Sequence, residues 1–261
     1  MSTTFHFRIL PDAATPRKKQ VFEGQRKTLF EGQEPGTYIC HFTDVIKKGT
    51  PLISGKGVIN NRISELFFSK LAEINVASHF IKRLNMREQV IRSVDPLPFK
   101  IRVYNIANKC LQDRFLIEKG TQLPRPLFEF LTKGSLPHVM SREHVVTFGW
   151  SNELELDDML TLAQRINDFL YGYFNALGFR LVSINLEFGR LYGGEFMENS
   201  ELLLIDEISP DTFDLQDASA KEFLVIDLHE TDLATVAATY QHIAERLKVL
   251  QTVNNGQQLS G

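Results

Sequence analysis

Residues 179–211, FRLVSINLEFGRLYGGEFMENSELLLIDEISPD, decide the fold of this 261-residue chain. Residues 181–188 and 202–208 are rich in Leu, Ile, Val and Phe, a composition typical of β-strands. The segment between them contains turn-forming residues, namely Gly189, Gly193, Gly194 and Asn199. The pattern therefore predicts two long strands joined by a glycine-rich connection.

Each predicted strand contains a carboxylate within its apolar run, with Glu187 on the first strand and Asp206 and Glu207 on the second. Burying such a group is costly unless it is paired, hydrogen-bonded or bound to a cation. Mg²⁺ is bound in proteins by one or two carboxylates together with phosphate and water, so Glu187 and Asp206 suit a divalent metal. An edge hairpin with solvated acids fits the same pattern, and the residues alone leave both interpretations open.

The composition indicates a globular protein, because 43% of the residues are hydrophobic and 23% are charged. No apolar run approaches the length of a membrane span, and the N-terminus lacks a secretory signal. A net charge of -3 gives no electrostatic reason to expect nucleic acid. With only Cys40 and Cys110, a disulfide framework is not expected, and we predict a reducing, cytoplasmic location without membrane partners.

The rest of the chain predicts an α+β protein, because strands come first and are then mixed with helices. The predicted strands are a hairpin over residues 21–32, strands over 37–42 and 100–107, and a strand over 90–99 that is broken by Pro96 and Pro98. Helices are predicted from Asn60 or Asn61, over 126–133 and over 156–177. An irregular segment over 212–230 precedes a last helix capped by Thr231 or Asp232.

A short glycine motif, GKG at residues 55–57, precedes the first long predicted helix. Its two glycines would let the backbone approach a ligand. Free amides at a helix N-terminus, together with Lys56, favour an anion. The motif alone is a weak signal.

Three segments give this chain a family resemblance: LEFG at 186–189, DEISPD at 206–211 and GKGVINNRIS at 55–64. In their order along the chain, these segments resemble SAICAR synthetases, ligases that use ATP to join aspartate to a carboxylated aminoimidazole ribotide. The resemblance covers residues 22–250, roughly. It implies a kinase-like or ATP-grasp-like protein of two lobes, with antiparallel sheets and flanking helices. We expect an N-terminal lobe over 21–96 and a C-terminal lobe over 97–250, between an extension (1–20) and a tail (251–261).

The resemblance also implies roles for individual residues. Glu187 and Asp206 would hold Mg²⁺ and, with Lys27, would be catalytic. Lys27 and Lys133 would contact the phosphates of ATP, although each could instead be a solvated surface lysine. The remaining expected contacts are Ile91 and Val94 near adenine in the hinge between the lobes, and Lys56 and Asn60 near the substrate.

Several positions depart from the family pattern. The family's Asp-x-Lys-x-Glu-Phe-Gly has lost its acid and its lysine, which are Ser183 and Asn185 here. In the family, two arginines and a serine grip the ribose phosphate of the substrate. Those three positions are Tyr104, Asp214 and Cys110 in this chain, and Lys100 replaces a glutamate. Asp44 remains as a candidate contact to the imidazole, and Lys100, Arg102 and Lys109 could rebuild a basic site.

The resemblance therefore predicts an ATP- and Mg²⁺-dependent amide-forming ligase of the purine-biosynthetic type. It would act on a small-molecule carboxylate and an amino acid, aspartate in the family. The departures at Lys100, Tyr104, Cys110 and Asp214 suggest a different acceptor. Two alternatives are a nucleotide-binding pseudoenzyme with a regulatory or scaffolding role and an unrelated α+β domain. Family members are often dimers, so a homodimer is a further expectation.

Overall fold

The computed structural model describes residues 19–46, 49–134, 137–192, 200–224 and 232–250, and its first sheet lies in the N-terminal part. This sheet is antiparallel and has the strand order β1-β2-β3-β5-β4. Its strands are β1 (Gln20–Glu23), β2 (Lys27–Glu31), β3 (Thr37–Phe42), β4 (Phe80–Arg83) and β5 (Glu88–Arg92). The hairpin predicted over 21–32 and the strand predicted over 37–42 are confirmed.

The second sheet is also antiparallel and is built around the longest described strand. Its order is β12-β11-β9-β6-β7-β8, and β10 pairs with β9. Its strands are β6 (Asp95–Ile106), β7 (Gln122–Thr132), β8 (Val139–Met140), β9 (Phe179–Tyr192), β10 (Ser200–Ile205), β11 (Phe213–Asp217) and β12 (Phe223–Leu224). The opening stretch of the sequence thus does form the predicted pair of strands, β9 and β10. The connection with Gly193, Gly194 and Asn199 lies outside the described residues.

The hydrophobic core lies between the second sheet and the helices. The described helices are α1 (Lys56–Glu73), α2 (Lys109–Phe115), α3 (Arg142–Thr147), α4 (Glu153–Ala176) and α5 (Leu233–Arg246). Phe67 on α1, Phe174 on α4 and Phe213 on β11 meet in it, with ring centroids 4.9–6.4 Å apart. The two long C-terminal helices are confirmed, and Asp232 caps α5 through Thr235 N. With helices and antiparallel sheets together, the α+β class is confirmed.

A short link and backbone hydrogen bonds join the two sheets. Only residues 93–94 separate the end of β5 from the start of β6. In addition, the segment before β4 pairs with β10, because His79 N donates to Leu204 O and Leu204 N donates to Ala77 O, both at 3.0 Å. The division into lobes at residues 96 and 97 remains a prediction. Within the described residues, no helix has both the length and the apolar character that a membrane crossing requires.

The helix predicted over 126–133 is wrong, because these residues belong to β7. Strand β7 pairs with β6 from Phe99 opposite Thr132 to Tyr104 opposite Leu127. This pairing outweighs the helical start that the prolines indicate. Pro124 and Pro126 are tolerated because they lie where the β6–β7 register is irregular, and β8 pairs only with Phe130 and Leu131.

Two further expectations need correction. Pro96 and Pro98 do not break the chain into a linker, since both lie within β6, where the pairing with β9 is irregular between Pro96 and Lys100. Residues 212–230 are not irregular throughout, because they contain β11 and β12. Residues 1–18, 225–231 and 251–261, including Thr231 and the expected tail, lie outside the described residues.

We expect Phe174→Ala to lower the free energy of unfolding by about 3–5 kcal/mol, because it leaves a cavity in a fully buried aromatic cluster. Leu154 lies on the same helix but is 78% exposed, so Leu154→Ala should change the free energy by no more than about 0.5 kcal/mol. Urea unfolding measures both. Equal losses in the two variants would contradict this account of the core.

Candidate active site

The two candidate metal ligands lie at one end of the β9–β10 pair. Glu187 on β9 is opposite Ile205, the last residue of β10. Asp206 follows with a φ of 70°, a left-handed conformation that Asp tolerates better than most residues. This turn ends the strand. Asp206 and Glu207 therefore come directly after β10, which corrects the strand predicted over 202–208.

Two lysines from other elements converge on these acids. Lys27, at the start of β2, forms an ion pair with Asp206, and its Nζ lies 3.1 Å from Glu207 Oε1. Lys133, directly after β7, places its Nζ 2.6 Å from Glu187 Oε2. Residues from the first sheet, from β7 and from the β9–β10 pair thus form one charged cluster.

The cluster shifts the pKa values of its members. Burial and then the negative charge of Asp206 raise the pKa of Glu187, and Lys133 offsets part of this rise. Burial would also raise the pKa of Asp206, but the charge of Lys27 and its hydrogen bond outweigh burial and lower it. The pKa of Lys27 is well above its ordinary value, because its acidic neighbours outweigh its own burial. Lys27 and Asp206 are therefore both charged at neutral pH.

The donor set fits Mg²⁺ bound together with a nucleotide. Among the described residues, no group of three or more His, Cys, Asp or Glu side chains could hold a metal without other ligands. Mg²⁺ needs only one or two carboxylates when phosphate oxygens and water complete its octahedron. Glu187 and Asp206 can supply these carboxylates, and Lys27 and Lys133 can then pair with phosphate oxygens.

The buried side chain of His79 contacts the backbone of Asp206. His79 Nε2 lies 3.1 Å from the carbonyl oxygen of Asp206, and its ring packs edge-on against Phe68 with centroids 5.5 Å apart. Burial, followed by the charge of Lys27, lowers the pKa of His79 to about 4. The neutral ring can donate its Nε2 hydrogen to the carbonyl oxygen of Asp206, the residue with the left-handed backbone. No spacing or motif in the sequence indicates this contact.

The expected adenine contacts lie where the two sheets meet. Ile91 is buried on β5, where it packs with Cys40 and Phe42. Val94 is half-buried in the short link to β6, and it lies close to Gly189 on β9. Both residues thus border the connection between the sheets, and their contact with adenine remains a prediction.

The GKG motif binds a carboxylate of the chain itself. Helix α1 already begins at Lys56, four residues before the predicted start. The amides of Gly55 and Gly57 donate to the two oxygens of Asp44 at 3.3 and 2.9 Å, and Arg87 binds the same carboxylate at 2.7 and 2.9 Å. A Cβ at residue 57 would lie 2.5 Å from Phe42 O, so glycine is required there by close packing. The anion site predicted from the motif exists, and Asp44 fills it.

Lys56 and Asn60 are both buried in α1. Lys56 Nζ lies 2.5 Å from Asp211 Oδ2, and both side chains are almost inaccessible. The hydroxyl of Tyr240 also donates to Asp211. Asn60 Oδ1 has no hydrogen-bond partner among the described residues. This placement favours a structural task for Lys56, while substrate contacts by either residue remain predictions.

Of the other candidate substrate residues, Lys100, Tyr104 and Asp214 share one face of the second sheet, whereas Cys110 lies on α2. Tyr104 is buried beside α2, only 1% exposed. On β6, Lys100, Arg102 and Tyr104 alternate with core residues, and they lie directly opposite Glu187, Asn185 and Ser183 on β9. Asp214 on β11 lies opposite Ser183. Lys100 therefore adjoins the metal end of this face, and Asp214 adjoins the far end. Burial lowers the pKa of Lys100, although Glu187 partly opposes this.

Ion pairs organise the far end of this face. Arg102 Nη2 donates to Asp214 Oδ2 at 2.8 Å and to Ser183 Oγ at 3.0 Å, and the guanidinium lies over the ring of Tyr104, 5.0 Å from its centroid. Asp214 thus neutralises Arg102, which differs from the free basic site that Lys100, Arg102 and Lys109 could have built.

Next to this pair lies a second arginine. Arg114 on α2 binds both oxygens of Glu129 at 2.9 and 2.6 Å and lies 3.7 Å from Cys110 Sγ. No motif in the sequence indicated Arg114 or Glu129. Their signal was weak, because α2 was not predicted and β7 was taken for a helix.

Comparisons with known proteins show the family of the chain. A model of the SAICAR synthetase family matches residues 20–247. The chain belongs to the SAICAR synthetase family. It is 45% identical over 248 residues to the phosphoribosylaminoimidazole-succinocarboxamide synthase of Rhodospirillum centenum, covering 92% of this chain and 96% of that one. This membership excludes the unrelated α+β domain.

Solved SAICAR synthetases have the same fold. The crystal structure of phosphoribosylaminoimidazole-succinocarboxamide synthase from Ehrlichia chaffeensis superposes with a TM-score of 0.83 at 33% identity, covering 89% of this chain and 100% of that one. A type-2 SAICAR synthetase in complex with ADP gives a TM-score of 0.80 at 27% identity, covering 88% and 98%. The two-sheet architecture is therefore that of the family.

We expect His79→Leu to weaken Mg-ATP binding about 10- to 100-fold, because residues that orient a metal ligand typically contribute this much to metal affinity. His79→Gln places an amide donor near the position of Nε2 and should recover most of the affinity. Calorimetric titration with Mg-ATP measures both variants, and thermal unfolding checks their folding. If both variants fold and bind Mg-ATP equally weakly, the affinity does not depend on the hydrogen bond from His79 to Asp206.

Proposed function

We propose that this chain is an ATP- and Mg²⁺-dependent carbon–nitrogen ligase that activates a carboxylate as an acyl phosphate for attack by an amine. The convergence of Lys27 and Lys133 on Glu187, Asp206 and Glu207 carries this proposal. Family membership supports it, and so does the binding of ADP by a related SAICAR synthetase. The family's own substrates, the carboxylated aminoimidazole ribotide and aspartate, belong to purine biosynthesis and are the first pair to test.

The cluster suits phosphoryl transfer, in which catalysis is mainly positioning and neutralisation of charge. Glu187 and Asp206 would hold Mg²⁺, which supplies positive charge to the transferring phosphoryl group. Lys27 and Lys133 would exchange their carboxylate partners for phosphate oxygens. Ile91 and Val94 would border the adenine in the link between the sheets.

Two bond exchanges complete the reaction. A carboxylate oxygen of the acceptor attacks the γ-phosphorus, and the bond to the bridging oxygen breaks so that ADP leaves. The amine nitrogen then attacks the acyl carbon, and phosphate leaves with the electrons of the carbon–oxygen bond while the nitrogen loses a proton. Lys100 adjoins Glu187 on the neighbouring strand, so it is placed to orient the acceptor carboxylate.

A nucleotide-binding pseudoenzyme is the second candidate, because Ser183 and Asn185 replace the acid and the lysine of the family pattern. The intact cluster weighs against it. A pseudoenzyme would bind Mg-ATP in a calorimetric titration but release neither ADP nor phosphate with any carboxylate and amine. A ligase releases both in equal amounts with the product. A homodimer and a cytoplasmic location remain expectations.

We expect Asp206→Asn and Glu187→Gln to lower kcat by about 10²–10³-fold, because each removes a charged ligand of the Mg²⁺ that would neutralise the transferring group, while keeping the size of the side chain. Lys70→Met is the matched surface control, since Lys70 is exposed on α1 and pairs only with Glu73 among the described residues. Coupled ADP release measures all three variants. Wild-type rates in both site variants would contradict the assigned roles.

A further inference from the structure

The polar face of the second sheet forms a strip that begins at the metal end. Lys100, Arg102 and Tyr104 follow one another at every second residue of β6, so the strip extends for about 13 Å along the strand. Glu187 lies beside its first residue and Ser183 beside its last. A small acceptor with its carboxylate at Lys100 would reach Asp214 with its other end.

The charges at the far end of this strip are already compensated. Asp214 and Ser183 bind Arg102, and both oxygens of Glu129 bind Arg114. Ser183 Oγ also donates to Asp214 Oδ2 at 2.6 Å, so the carboxylate has two partners. Both guanidinium groups thus have carboxylate partners within the chain.

A phosphate dianion does not suit this arrangement. Arginine binds phosphate best through its bidentate fork. Here the fork of Arg114 is filled by both oxygens of Glu129, and Nη2 of Arg102 is held by Asp214. A phosphate would have to displace these carboxylates and leave them close to two further negative charges. Glu129 is only 7% exposed, so water could not stabilise it.

Two buried groups in the middle of the strip are left unsatisfied within the described part of the chain. Arg102 Nε and Asn185 Oδ1 have no hydrogen-bond partner among the described residues, and their residues lie directly opposite each other on β6 and β9. The first is a donor and the second an acceptor. A hydroxyl group can satisfy both, because it accepts one hydrogen bond and donates another.

We propose that the acceptor of this ligase is a hydroxylated carboxylate without a phosphate group, selected by the neutral arrangement of Arg102, Asp214 and Ser183. The proposal rests on the proposed function, since the carboxylate end is defined by the candidate metal cluster. Asp214 is the specificity-determining residue, because its charge prevents Arg102 from binding a phosphate.

The first test compares two ligands that differ only in the phosphate, the carboxylated aminoimidazole ribotide and its riboside. Calorimetry measures the binding of each to the protein loaded with Mg-ADP. We expect the ribotide to bind no more tightly than the riboside, or not at all. A ribotide that binds at least tenfold more tightly would overturn the proposal.

The second test changes the proposed determinant. Asp214→Asn removes the charge and leaves the guanidinium of Arg102 for an anion, so the preference for ribotide over riboside should rise at least tenfold. Ser183→Ala removes a neutral partner and keeps both charges, so it should leave that preference unchanged. An unchanged preference in folded Asp214→Asn would show that Asp214 does not select the acceptor. If this variant does not fold, Glu129→Gln tests the same effect at Arg114.

Failure of the proposed function gives a different result. If the nucleotide site is assigned wrongly, Mg-ADP does not bind to the wild-type protein. If the chain is a pseudoenzyme, Mg-ADP binds, but ATP releases neither ADP nor phosphate with any carboxylate and amine. In the first case the ribotide and the riboside are compared on the unloaded protein, where tighter binding of the ribotide would still overturn the inference about the acceptor. Binding of Mg-ADP and of the riboside, without binding of the ribotide, supports the nucleotide site and the inference about the acceptor.

Discussion

The ion pairs of Lys27 connect the two sheets at the place where the chemistry is expected. Lys27 comes from the first sheet, and Asp206 and Glu207 follow the last residue of β10 in the second. Glu207 is almost fully buried, and a buried charge left without its partner destabilises a protein by about 3–5 kcal/mol. A ligand that separates Lys27 from Asp206 and Glu207 must therefore supply a new partner for the lysine and for the carboxylates. A metal ion with a polyphosphate does this, because the cation takes the carboxylates and the phosphates take the lysines.

Side chains on β6 and β9 alternate between the hydrophobic core and the polar strip, so the two faces of these strands have different roles. Ile101, Val103 and Ile184 point into the core, whereas the residues between them carry the polar strip. One pair of strands thus anchors the fold and presents polar groups from Lys100 to Ser183. The two ends of the strip differ, since the near end adjoins the candidate metal cluster and the far end carries its own counter-ions. This contrast matches the two proposals, phosphoryl transfer at the near end and an acceptor without a phosphate group at the far end.

Much of the fold could be predicted from local patterns, and most of the errors concern contacts distant in sequence. The periodicity of residues 156–177 predicted α4, and the apolar runs around Glu187 predicted β9 and β10. Local signals failed at β7, where prolines suggested a helix and pairing with β6 determined a strand. In the site, the motifs identified the acids and lysines. They could not show that Asp44 fills the GKG loop, that His79 supports Asp206 or that Asp214 pairs with Arg102, because each contact joins segments far apart in sequence.

The most direct test of the central claim is a crystal structure with Mg²⁺ and a non-hydrolysable ATP analogue. The account predicts a metal ion about 2.0–2.1 Å from carboxylate oxygens of both Glu187 and Asp206, as Mg²⁺ requires. Lys27 and Lys133 should then contact phosphate oxygens, and the Arg102–Asp214 pair should be unchanged. A nucleotide bound elsewhere, with Lys27 still paired to Asp206 and Glu207, would contradict the account.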